Sequence, residues 1–132
     1  MKLLAINSSE KQAEISLLNE SEKIIYKLEE GKSHSEYLLL EIEQLLEKNN
    51  LTIQDVDVVS VNVGPGSFTG IRIGISFVKA FMLSLQINAI CVSNFDIISY
   101  NTFDKPKNYL VVLPSNNEDI YYCKVNENKK EF

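Results

Sequence analysis

Gly64-Pro65-Gly66-Ser67-Phe68-Thr69-Gly70 follows a β-branched run and precedes an apolar stretch with helical spacing. Glycines between a strand and a helix commonly cradle a phosphate, because helix-terminal N–H groups and the helix dipole favour an anion. The spacing fits neither familiar cradle. A P-loop needs a Lys after the last glycine of G-x-x-x-x-G, and none stands there. The dinucleotide fingerprint needs G-x-G-x-x-G, but Thr69 holds the third glycine position and Gly70 comes one residue late. Pro65 also lacks an N–H that a cradle would use. On the residues alone, an anion site and a close-packing turn are equally good readings.

Other reactive side chains are sparse. His34 is the only histidine and stands beside a helix start, where a structural role outweighs general-base work. Ser67 and Thr69 need a neighbouring base to act as nucleophiles, and the sequence offers only His34. Helix capping is the better reading of both. Arg72, at the helix start, suits a phosphate clamp, a partner contact or an ion pair. Asp55, Asp57 and Asp96 read as surface or capping residues. Phe77 and Phe81 read as core or interface. No His, Cys, Asp or Glu grouping has metal-ligand spacing. Cys91 and Cys123 each sit in an apolar run, which predicts buried, reduced thiols.

The elements that must position these residues follow from periodicity. Leu3–Ile6 reads as a buried strand ending at Asn7-Ser8-Ser9, Ala13–Leu17 alternates as a half-buried strand, and Ile24–Leu28 makes a third. Such short connections require an antiparallel meander. Ser33-His34-Ser35-Glu36 is a capping box. Leu38, Leu39, Ile42, Leu45 and Leu46 share one face of the helix behind it. Val58–Val63 is a strand, residues 71–85 a helix apolar over most of its circumference, Ala89–Val92 a strand and Asn94–Tyr100 a short helix. Residues 103–108 are polar and form a boundary. Tyr109–Leu113 and Ile120–Val125 read as two strands. Three antiparallel strands followed by αβαβα predict an α/β fold with a mixed sheet, of the actin/Hsp70-like (ribonuclease-H-like) kind. Residues 1–105 form that domain, and 106–132 a truncated start of a second.

The chain has 132 residues, 45% hydrophobic and 23% charged, with a formal net charge of −5. That composition is ordinary for a folded protein. The acidic balance argues against nucleic-acid binding through this chain alone. Leu3–Ile6 is too short for a secretion signal, and no apolar stretch reads as long enough to span a membrane. The cytoplasm is therefore expected, with no membrane contact.

Val63-Gly64-Pro65-Gly66-Ser67-Phe68-Thr69-Gly70-Ile71-Arg72-Ile73-Gly74 resembles, almost residue for residue, the signature of the TsaB (YeaZ) family. Leu4-Ala5-Ile6, His34-Ser35-Glu36 and Leu51–Asp57 resemble it too. The resemblance covers residues 1 to about 100 well and 109–125 loosely. It implies an actin-like fold that has lost most of its chemistry and serves as the non-catalytic partner of TsaD. TsaD uses threonylcarbamoyl-adenylate to modify an adenosine beside the anticodon of tRNA. A P-loop ATPase, TsaE, joins the assembly. Any ATP and metal would then belong to partner subunits, and tRNA would be met only through the complex. The motif residues Gly64, Pro65, Gly66, Ser67, Phe68, Thr69, Gly70, Arg72 and Gly74 would form a structural loop with vestigial phosphate-binding character.

Three departures bear on this. Asn7 stands where the family pattern has an Asp after the first strand, and a neutral amide is a poor sole ligand for Mg²⁺. Val92–Ile98 lacks the His-x-x-x-His metal pair of the catalytic paralogue. The second domain is cut short. The resemblance also places the partner interface on the two longer helices. On the first, Tyr37, Leu40 and Gln44 lie opposite the core face. On the second, Ile71, Ile75, Val78, Met82 and Leu85 form one apolar row, and Ile73, Phe77 and Phe81 another. One row is expected on the sheet and the other on the partner, giving Ile75, Phe77, Val78, Phe81 and Met82 as contact candidates. A stand-alone hydrolase or peptidase-like protein is the alternative reading, and a homodimer joined through the helices a third.

Overall fold

The computed structural model describes residues 1–20, 22–28, 34–101, 108–115, 119–126 and 129–131. Strands β1 (Lys2–Asn7), β2 (Glu14–Asn19) and β3 (Glu22–Lys27) form the expected antiparallel meander. Glu20 turns the chain between β2 and β3 with a positive φ of 55°. Helix α1 (His34–Lys48) ends at Asn49-Asn50, where Asn50 adopts the left-handed conformation that Asn tolerates. The Ser33 half of the predicted capping box lies outside the described residues.

Strand β4 (Val58–Asn62) then pairs parallel to β1, and β5 (Asn88–Val92) parallel to β4. The five-stranded order is β3-β2-β1-β4-β5. A short 3-10 turn at Ile53–Asp55 precedes β4, with Thr52 and Asp55 capping each other. The Thr52 N–H and then its hydroxyl hold the Asp55 carboxyl below the usual carboxylate range. Asp57 accepts from the Lys2 N–H at 2.7 Å and fixes the entry to β1.

The main core lies on one face of this sheet. Leu4, Ile6, Ile15, Leu17, Val59 and Val61 meet Leu38, Ile42, Leu45 and Leu46 of α1 and Val78 and Phe81 of helix α2 (Phe68–Leu85). Burying such a side chain contributes about 1.5–3 kcal/mol, which explains why the apolar face of α1 predicts its placement. Leu39 is the exception on that face: it is exposed, a step round the helix from Leu38. The second helix differs from expectation. Its buried residues are Gly70, Gly74, Val78 and Phe81, a row cutting across both predicted apolar rows. Two of these four are glycines, which let the helix approach the Ser8 turn at Gly70 and Val61 and Ile6 of the strands at Gly74.

Helix α2 is a stretch whose length the membrane reading passed over. Its 18 residues, with mean hydropathy 1.4, are by length and composition long and apolar enough to cross a bilayer. Here α2 packs on β4 and β1, and 22% of it is buried within the described fold.

Helix α3 (Asn94–Asn101) starts at a reciprocal cap in which Ser93 and Asp96 bond each other, the capping role expected of Asp96. Its Phe95 joins Val111, Cys123 and Val125 of a second sheet, β6-β7-β8, formed by β6 (Asn108–Pro114), β7 (Ile120–Asn126) and β8 (Lys129–Glu131). Most of the predicted boundary stretch, residues 103–107, lies outside the described residues. Cys123 is buried as expected. Cys91 is exposed, because β5 is an edge strand that the core covers only in part.

Candidate functional site

Parallel strands β1 and β4 end side by side, and their carboxyl ends carry the polar residues Asn7 and Asn62. In open α/β sheets this is where ligands bind. The amide of Asn62 donates to Asn7 Oδ1 at 3.1 Å and to Asn94 Oδ1 at 2.6 Å, while its own Oδ1 accepts from the Gly64 N–H at 2.8 Å. Asn7 Oδ1 also accepts from the Ser9 N–H at 3.2 Å and from the Ser9 hydroxyl at 2.8 Å. Asn94 closes the ring, donating to Ser9 Oγ at 3.2 Å and to the Pro65 carbonyl at 2.7 Å. Three asparagines and a serine thus tie together the ends of β1, β4 and α3 and the glycine-rich loop.

The loop itself is pressed onto the Ser8-Ser9 turn. The Ser67 N–H donates to the Ser9 carbonyl at 2.7 Å, and the buried Ser8 hydroxyl donates to the Gly70 carbonyl at 2.8 Å. A Cβ on Gly66 would collide with the Ser9 carbonyl oxygen, and one on Gly70 with the Ser8 carbonyl oxygen. At Gly74 it would stand 2.5 Å from Ser8 Oγ and 3.3 Å from Val61. Gly64 holds a φ of +94°, and the Gly64–Pro65 peptide is cis. Of the two readings of the glycines, close packing is the one these contacts support. Ser67 Oγ accepts from the Gly70 N–H at 3.2 Å, the cap expected of it. Thr69 makes no such cap and lies exposed in the first turn of α2.

Position 7 presents three donors to a single oxygen, which a carboxylate accepts better than an amide. Asn7→Asp is therefore expected to keep the parent's melting temperature at pH 7 or exceed it. The donors would hold the introduced carboxyl below its unfolded pKa, so any gain disappears as pH falls through the folded value. The isosteric Asn7→Leu strands the Ser9 and Asn62 donors and should cost about 2–4 kcal/mol. Paired thermal melts check both, and an Asn7→Leu variant as stable as the parent contradicts the network.

The solvent side of α2 carries the remaining motif residues. Arg72 lies over the exposed Phe68 ring, 5.3 Å from its centre, and no ion pair of Arg72 occurs among the described residues. Beside them a groove of about 500 Å³ runs along Thr69, Arg72, Ile73, Ser76, Phe77 and Ala80. Of the expected contact residues, Leu40 is 46% exposed and Met82 44% exposed. Tyr37, Gln44, Ile75 and Phe77 are half-buried. Val78 and Phe81 are corrected: both point into the domain's own core, so neither offers a surface in this fold. Leu39 and Leu83 add exposed apolar surface that helical spacing does not single out. Ser8, Ser9, Asn62 and Asn94 likewise escape the sequence reading as a group. The available signal is a polar residue at each end of adjacent parallel strands.

The mixed sheet with its meander, crossover helices and loop at the strand ends defines an actin-like α/β domain. A family model for tRNA N6-adenosine threonylcarbamoyltransferase (TsaD) matches residues 25–131. The tRNA threonylcarbamoyladenosine biosynthesis protein TsaB of Buchnera aphidicola subsp. Baizongia pistaciae is 27% identical over 96% of this chain and 58% of that protein. Its Bacillus subtilis namesake is 34% identical over 76% of this chain and 44% of that protein. YeaZ from Pseudomonas aeruginosa shares the fold, with a TM-score of 0.80 at 24% identity over 93% of this chain and 59% of that one. The chain belongs to the threonylcarbamoyltransferase (TsaD) family, as a TsaB (YeaZ) member. It spans about half the length of these relatives.

Proposed function

We propose that this chain is a non-catalytic, supporting subunit in the synthesis of threonylcarbamoyladenosine on tRNA, and that it docks a TsaD-type catalytic subunit through α1 and α2. The observation that carries this reading is the closed ring of Asn7, Ser9, Asn62 and Asn94. It occupies the strand ends where an actin-like domain would need a carboxylate for a metal-bound nucleotide. Its four members bond one another in a closed circuit, and all are neutral. Exposed apolar side chains support the docking half: Leu39 and Leu40 on α1, and Phe68, Met82 and Leu83 on α2.

In this reading threonylcarbamoyl-adenylate, ATP and any metal are handled by partner subunits, including a TsaE-type ATPase. With a net charge of −5, the chain meets tRNA only within the complex, in the cytoplasm. The peptidase-like alternative gains nothing from Ser67, whose hydroxyl accepts from the Gly70 N–H as a helix cap. The purified chain should show neither ATP turnover nor saturable binding of Mg-ATP in the micromolar range. Turnover that disappears in Asn7 or Ser67 variants would refute a non-catalytic role.

A further inference from the structure

The first turn of α2 is placed without a buried side chain. Phe68 and Thr69 are exposed, and Gly70 is bare. Val78 and Phe81, which seat the helix in the core, come two turns later. Hydrogen bonds therefore decide where that turn stands. The Ser67 N–H reaches the Ser9 carbonyl at 2.7 Å, and the Ser8 hydroxyl holds the Gly70 carbonyl at 2.8 Å. The loop before them is held from α3. The Asn94 N–H donates to the Gly64 carbonyl at 2.7 Å, and the Asn94 side-chain amide to the Pro65 carbonyl at 2.7 Å. Of the four ring residues, Asn94 alone binds two consecutive carbonyls of the glycine-rich loop.

We propose that Asn94 is a positioning residue for partner docking. From α3 it fixes the glycine-rich loop, and so the first turn of α2 with the Arg72 and Phe68 side chains that a TsaD-type subunit meets. The inference rests on the docking reading above. Gly64 and Gly66 flank Pro65, and glycine leaves the backbone more conformations than any other residue. Donors on two consecutive carbonyls remove much of that freedom before a partner arrives. Binding then costs less ordering entropy, the advantage of a preorganised surface. Phe68 is 73% exposed and stands outside the domain's own core, so freedom in the loop would reach it undamped. The Arg72 guanidinium lies 5.3 Å from the centre of that ring, so both side chains move with the turn.

Asn94→Asp keeps the size of the side chain, an oxygen for the Asn62 amide and a charge that suits a helix start, yet at neutral pH it donates nothing to Pro65. Asn94→Ala removes the side-chain bonds altogether. Titrated into a TsaD-type subunit from the same organism, each variant should bind about tenfold more weakly than the parent, or worse. In the free chains, amide exchange should speed up at residues 66–70 and keep the parent's rate around Val78 and Phe81. General loosening of the fold would speed both stretches. Parent-like binding by both variants, while Leu40→Glu fails to bind, would overturn the inference alone. Exchange that rises equally around Val78 and Phe81 would overturn it too. Parent-like binding by Leu40→Glu would remove the docking reading, and this inference with it.

Discussion

Leu40→Glu is expected to weaken binding to a TsaD-type subunit by about a hundredfold or more, with little change in the melting temperature of the chain alone. Leu40 sits on α1 with 46% of its surface exposed, so the domain's own core gains little from it. Covering a leucine at an interface contributes about 1.5–3 kcal/mol. A glutamate there forfeits that and adds the desolvation cost of a carboxylate. The matched control is Ile42→Glu, two residues along the same helix but 1% exposed in the core. An unpaired charge there should cost several kcal/mol out of a typical total of about 5–15 and unfold the domain. Binding titrations and melts of the two variants separate the faces of α1. A Leu40→Glu chain that binds like the parent places the docking face elsewhere, and one that unfolds makes Leu40 part of the core.

Gly70→Ala is the second large effect, and it reports on the motif. The added methyl would overlap the Ser8 carbonyl oxygen, a backbone atom that no rotamer change can move aside. Ser8 is itself fully buried and bonded to the Gly70 carbonyl, so relief requires α2 to lift from the turn. Overpacking of this kind costs about 1–3 kcal/mol and sometimes more, against about 1 kcal/mol gained from alanine's helix propensity. A net loss of up to about 2 kcal/mol is expected, lowering the melting temperature by up to roughly 7 °C. Thr69→Ala, one residue earlier and exposed, should stay within about 0.5 kcal/mol of the parent. If Gly70→Ala melts with the parent, close packing is not the reason for the glycine.

Much of the fold is legible in the order of residues. Leu3–Ile6 announces its strand as an apolar run, Ala13, Ile15 and Leu17 theirs by alternation, and Leu38, Ile42, Leu45 and Leu46 announce α1 by helical spacing. These signals are local, and one partner surface suffices to explain each. Helix α2 is harder because it is apolar almost all round. Apolarity then cannot say which row meets the sheet, and the glycines that do so carry no hydrophobic signal. The same limit hides the amide ring. Asn7 and Asn62 are 55 residues apart in sequence, and Ser9 and Asn94 85 apart. Only parallel pairing of β1 and β4 brings the first two together. The twelve-residue motif is visible at once, yet whether its glycines hold an anion or a carbonyl turn depends on where Ser8 and Ser9 lie.

The supporting-subunit role is tested most directly by titrating the purified parent chain into a TsaD-type subunit from the same organism. Light scattering on the eluted peaks follows the assembly. A stoichiometric complex that Leu40→Glu prevents, formed without added nucleotide, is the expected result. Independent elution of the two proteins at micromolar concentration would contradict it.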